Sequence, residues 1–160
     1  MPLTMSQKDH TTSAPADAPL IVVGYDGSEE ARLAVTVAAE RAGPDGTIVP
    51  LLAVRAAPGW LGAPYYDRQV ESSRRIADDL LAEIDGIDTG DAAVAPELIE
   101  GEPAEVLLRV ARQRGAREIV VGSRGLGRFR SILGSVSHAL LEHADRPVLI
   151  VPRGAVDVDD

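Results

Sequence analysis

Ile119-Val120-Val121-Gly122-Ser123-Arg124-Gly125-Leu126-Gly127-Arg128-Phe129-Arg130-Ser131-Ile132-Leu133-Gly134-Ser135-Val136-Ser137-His138 joins three kinds of segment. Ile119 to Val121 reads as a buried strand, and Val136 to His143 reads as a helix. Between them lies a turn rich in glycine. Glycine lets a backbone come close to an anion with its N–H groups turned toward it. The helix that follows adds unsatisfied N–H groups and the positive end of its dipole. Ser135 can add a hydroxyl there or simply cap the helix. Arg124, Arg128 and Arg130 share the segment. Strand, glycine turn and helix in this order describe one unit of an α/β sheet with an anion site at its end.

The same unit recurs along the chain. Leu20 to Tyr25 is an apolar run ended by Asp26-Gly27-Ser28, with Ser28 as N-cap and Glu29 and Glu30 in the first turn of a helix reaching about Ala42. Ala31, Val35, Ala38 and Ala39 share one face of that helix, and Gly43-Pro44-Asp45-Gly46 ends it. Thr47 to Val54 is a second strand; Pro50 within it suggests an edge, a bulge or the strand's start. Ala56 to Tyr66 reads as a loop, and Asp67 to Ile84 as an amphipathic helix with Val70, Ile76, Leu80, Leu81 and Ile84 at helical spacing. Val94 to Ile99 is a third strand. Pro103 opens a helix with Val106, Leu107, Val110 and Ala111 as its buried stripe and Gly115 at its end. Glu118 to Val121 and Val148 to Val151 are the fourth and fifth strands. The alternation predicts a single-domain α/β sandwich, with a five-stranded, mostly parallel sheet and helices on both faces. If the first and fourth strands are neighbours, the Asp26 and Gly122 turns face one crevice at the switch point of the sheet.

Composition agrees. The 160 residues are 45% hydrophobic but only 3% aromatic, so Val, Leu, Ile and Ala must build the core. A net charge of −9 argues against general binding to nucleic acid or an anionic membrane, and it isolates the arginines near Gly122 as a local positive field. With no cysteine, disulfides, thiol catalysis and cysteine-based zinc sites are excluded. No apolar run approaches the roughly 20 residues of a membrane span. Residues 1–18 carry no apolar signal core and read as a disordered tail, residues 19–153 as the folded domain and residues 154–160 as an acidic tail. A cytoplasmic location is expected.

Three segments together resemble the universal stress protein family: Ile21-Val22-Val23-Gly24-Tyr25-Asp26-Gly27-Ser28, Glu118 to Gly125, and Gly134-Ser135-Val136-Ser137 through Arg146-Pro147-Val148-Leu149-Ile150-Val151. The resemblance spans roughly Leu20 to Val151. It implies a Rossmann-like fold of the adenine-nucleotide alpha-hydrolase type, a homodimer, and in ATP-binding members the pattern Gly-x2-Gly-x9-Gly-Ser/Thr. Gly122 and Gly125 match its first part and Gly134-Ser135 its last, but eight residues separate Gly125 from Gly134 where the pattern has nine. The shorter loop is either absorbed before the helix or moves the phosphate cradle. The resemblance also implies roles. Asp26 would lie beside the nucleoside and the backbone of Val54 would meet the adenine edge. Gly122 and Gly125 would let the backbone approach ribose and phosphates, and Gly134, Ser135 and the N–H of Val136 would hold the phosphates. Apart from the resemblance, Arg124 is the arginine best placed near a phosphate, because it lies between the two motif glycines. The ligand implied is ATP, with Mg²⁺ as its companion, or another adenine nucleotide such as cyclic AMP.

Plainer readings compete with these. Asp26 before Gly27 is ordinary turn chemistry, and surface arginines are usually solvated. Trp60, Tyr65 and Tyr66 are either a lid over a base or scattered loop aromatics. His138 and His143 lie five apart, on different helix faces, which does not make a metal pair. No general base and no Gly-Lys-Ser/Thr motif appears, so any ATP hydrolysis is expected to be slow. The expected protein is an adenine-nucleotide-binding stress regulator that dimerises through Val148 to Val151. The alternative is a stress-induced protein-interaction module that binds no nucleotide.

Overall fold

The computed structural model describes residues 17–55, 58, 60, 62–124 and 133–153. The chain runs β1 (Leu20–Gly24), α1 (Glu29–Ala42), β2 (Thr47–Val54), α2 (Ala63–Asp85), β3 (Ala93–Val94), β4 (Glu97–Glu100), α3 (Pro103–Gln113), β5 (Glu118–Gly122), α4 (Ser135–His143) and β6 (Val148–Val151). The strands form one sheet in the order β3-β2-β1-β5-β6, with β4 also paired to β2, and every described pairing is parallel. Strands β1 and β5 are direct neighbours, with Val22 opposite Ile119. The chain reverses direction across the sheet between them, which is where an open parallel sheet forms a crevice.

Side-chain alternation sends successive residues of each strand to opposite layers. Ile21, Val23, Ile48, Leu52 and Val120 pack with α1 and the C-terminal part of α2. Val22, Val49, Leu51, Ile119 and Val121 pack with α3 and α4. Helices therefore cover both faces, and β1, being central, is buried on both. Small residues on α1 (Ala31, Ala34, Ala38) let that helix lie close to the sheet. Ser28 caps it, its Oγ accepting the N–H of Ala31 at 3.2 Å.

Four expectations are corrected. The third strand is two short strands, so the sheet has six strands in place of five. Ala95 and Pro96 separate them, and Pro96 has no N–H to give a ladder. Pro50 lies inside β2, buried and away from the sheet's edge. The carbonyl of Ile48 accepts from Ala95 N on the outer side of β2, and Pro50 shares that parity. Its missing donor therefore faces the gap between β3 and β4, where a ladder bond is already interrupted. Helix α2 starts four residues earlier than the periodicity suggests, with Pro64 in its first turn, so Tyr65 and Tyr66 are helical. Val70 and Ile76 are exposed on it, and only its C-terminal part reaches the core. Helix α4 is capped by Gly134, not Ser135, which is its first residue.

Candidate functional site

The crevice opens where the topology places it, beyond the carboxyl ends of β1 and β5, with a volume of about 230 Å³, somewhat below the roughly 300–1,000 Å³ of most ligand sites. One end is apolar, formed by Leu51, Ala53, Pro103, Leu107 and Val121. The other is polar, formed by Asp26, Ser28, Arg124, Ser135 and Ser137 with the glycine backbones of Gly122 and Gly134.

The polar end is built around the start of α4. His138 N–H donates to Gly134 O at 3.0 Å, the first bond of the helix. The N–H groups of Ser135, Val136 and Ser137 precede it, and among the described residues no side chain caps them. Gly134 N–H instead donates to Ser123 O at 2.7 Å, and Ser123 N–H to Val151 O at 2.8 Å. These bonds join the two ends of the connection between β5 and α4 to the end of β6. Ser137 is buried, and its Oγ donates to Gly122 O at 2.9 Å. The end of β5 is thus fixed to the first turn of α4, whose residues Ser135, Val136 and Ser137 line the crevice together with the exposed Arg124. A helix start of this kind is chemically suited to an anion.

The turn after β1 forms the facing wall. Asp26 Oδ1 accepts Ser28 N–H at 2.9 Å, and Gly27 adopts φ 82°. Tyr25 is buried below the turn, and its hydroxyl donates to Glu83 Oε2 at 3.3 Å. Burial and the Glu83 carboxylate push the Tyr25 phenol above its ordinary pKa.

Of the residues singled out in the sequence, Asp26, Gly122, Arg124, Gly134, Ser135 and Val136 line this one crevice. Val54 does not. Its carbonyl accepts Gly101 N–H at 2.9 Å, on the β4 side. Ala53 lines the crevice instead. Leu51 O accepts Tyr25 N–H on the β1 side, and Ala53 shares that parity just past Gly24, the last paired residue of β1. The backbone of Ala53 therefore faces the apolar end. Gly125, Arg128, Arg130 and Ser131 lie outside the described residues, as do residues 1–16 and 154–160. Tyr65, Tyr66 and Trp60 are exposed and take no part in the crevice wall. Ser137 was not singled out: its neighbours in sequence give no sign of which carbonyl lies beneath it. Among the described residues, no three His, Cys, Asp or Glu side chains cluster as a metal site, and no helix is long and apolar enough to cross a membrane.

Comparison with known proteins identifies this architecture. The model of the universal stress protein family matches residues 20–152. A universal stress protein from Thermus aquaticus is 34% identical over 137 residues, covering 82% of this chain and 96% of its own. One from Mycolicibacterium smegmatis is 30% identical over 145 residues, and there the chain spans about half (47%) of its relative's length. The solved UspA of Lactobacillus plantarum superimposes with a TM-score of 0.72 at 23% identity, over 86% of this chain and 99% of that one. A universal stress protein solved in complex with cAMP has a TM-score of 0.56 at 27% identity, over 84% of this chain and 97% of that one. The chain belongs to the universal stress protein family.

Proposed function

We propose that this universal stress protein binds an adenine nucleotide in the crevice between β1 and β5 and acts as a cytoplasmic, homodimeric binding module of the stress response. The observation that carries the reading is the pairing of two chemistries in one cleft. The start of α4, whose first N–H groups have no side-chain cap among the described residues, and Arg124 suit phosphate. The apolar slot of Leu51, Ala53, Leu107 and Val121 suits a flat base, with the backbone of Ala53 at its edge in place of Val54. The cAMP bound by the relative described above supports an adenine ligand.

ATP is the ligand proposed. Among the described residues Asp26 is the one carboxylate on the crevice wall, so a Mg²⁺ arriving with ATP would be held mostly by the phosphates and Asp26. With Asp26 engaged by the metal, no other described carboxylate or histidine lines the crevice as a general base, so hydrolysis is slow and the bound nucleotide acts as a signal. The dimer forms along β6, the sheet's outer strand.

The test is direct. Freshly purified protein is denatured, and released nucleotide is identified by chromatography and mass spectrometry. Near one ATP or ADP per chain supports the reading. No nucleotide, and no thermal shift with added ATP and Mg²⁺ or with cyclic AMP, overturns it in favour of a protein-interaction module.

A further inference from the structure

We infer that Glu83 on α2 is a positioning residue for the crevice, acting on the ligand through Tyr25 and the Asp26-Gly27-Ser28 turn; this rests on the nucleotide-binding reading above. Glu83 is 51 residues from Arg32 in sequence and 58 from Tyr25, yet its Oε2 binds both. Arg32 Nη2 lies 2.6 Å from it, and the Tyr25 hydroxyl 3.3 Å. One carboxylate therefore ties the end of β1 and the first turns of α1 to α2.

The tie closes on the turn itself. A Cβ at Gly27 would stand 2.5 Å from Leu80 Cδ2 and 4.0 Å from Glu83 Oε2. Leu80 and Glu83 thus press against the outer side of the turn whose inner side, through Tyr25, Asp26 and Ser28, is crevice wall. Neither Leu80 nor Glu83 reaches the crevice. The fold places α2 behind the wall, where it limits the conformations the turn can take. When a binding-competent conformation is only partly populated, apparent affinity falls by that fraction. Releasing the turn therefore weakens a ligand that Glu83 never touches.

A purely electrostatic role predicts the opposite. Glu83 is negative, so removing its charge would strengthen binding of an anionic nucleotide and leave a neutral nucleoside unaffected. The full chain is titrated calorimetrically with ATP and, separately, with adenosine. The variants are Glu83→Ala, Glu83→Gln, Tyr25→Phe and the double Glu83→Ala/Tyr25→Phe. Glu83→Gln keeps an acceptor for Tyr25, and Tyr25→Phe keeps the buried ring, so both preserve the packing. Glu83→Ala and Tyr25→Phe are each expected to weaken both ligands about 3- to 10-fold. Glu83→Gln is expected to stay within about twofold of wild type, and the double variant within about twofold of the weaker single. A wild-type affinity in Glu83→Ala, a gain for ATP alone, or additive losses in the double variant overturns the inference and leaves the nucleotide reading standing. Wild-type protein that binds neither ligand overturns both.

Discussion

Gly122 packs closely against Glu30: a Cβ on Gly122 would lie 2.6 Å from Glu30 Cβ and 3.0 Å from its carbonyl carbon. Gly122 ends β5, and Glu30 lies in the first turn of α1. This glycine is required by packing between helix and strand, whatever the crevice holds. From the sequence alone, Gly122→Val would be expected to block a ligand while sparing the fold. The contact reverses that expectation. Gly122→Ala should cost about 1–3 kcal/mol by overpacking, and Gly122→Val more. Urea denaturation checks it, and a wild-type midpoint for Gly122→Ala would contradict the contact.

Ser135 and Ser137, two residues apart, should separate by function. Ser137→Ala leaves the Gly122 carbonyl without its 2.9 Å donor in a buried setting and should destabilise by about 1–2 kcal/mol. Ser135 makes no capping bond and lines the crevice. Ser135→Ala should change stability by less than about 0.5 kcal/mol. If its hydroxyl meets phosphate, ATP affinity should drop about fivefold, the worth of one hydrogen bond. Paired thermal melts and titrations read both quantities. Equal behaviour of the two variants would refute the division.

Much of this was legible in the sequence because local and global signals agree. The run Leu20 to Gly24, the Ser28 cap and the alanine stripe of α1 each point to the same strand, turn and helix. The crevice followed once β1 and β5 could be supposed neighbours. What stayed hidden depends on parity and on distant partners. Val54 and Ala53 are adjacent, and only the register of β2 against β1 shows which one turns its backbone to the cleft. The break at Ala95 and Pro96 is visible only beside the Pro50 it faces. Pro64 read as a loop residue because proline suits a first helical turn as well as a loop. An acid in a first helical turn gives no sign in sequence of its burial, yet Glu30 is buried close to Gly122.

Glu118 should make the protein acid-sensitive. Its side chain is only 4% exposed, and it accepts two hydrogen bonds of 2.8 Å from Arg41 and one of 3.2 Å from Arg117. Burial alone would raise its pKa, but the bonds from Arg41 and then Arg117 hold it below the ordinary value of 4.5. A carboxylate depressed in the folded state stabilises at pH above its unfolded value and loses that contribution as pH falls through its folded value. At neutral pH, Glu118→Gln should cost about 2 kcal/mol, between an exposed and a buried pair. The gap between wild type and variant should close steadily as pH drops below 4.5. Urea midpoints across pH 3–7 measure it; a constant gap would exclude Glu118 as the acid-sensitive group.

The edge of β6 offers a test of the dimer that leaves the crevice alone. Ser123 N–H bonds Val151 O and Ile119 N–H bonds Pro147 O, so odd-numbered residues of this segment turn their backbones toward β5. Val148 and Ile150 therefore turn theirs outward, along the sheet's free edge. Proline is tolerated on an edge strand where its missing N–H faces away from the sheet. Ile150→Pro should keep the pairing with β5 but remove a donor from each of two pairing strands and place a ring in their path. Ile150→Ala loses the side chain but keeps the donor, so it controls for truncation. Sedimentation velocity should find the alanine variant dimeric and the proline variant monomeric, with both folded by circular dichroism. A folded proline variant that still sediments as a dimer would move the interface away from β6.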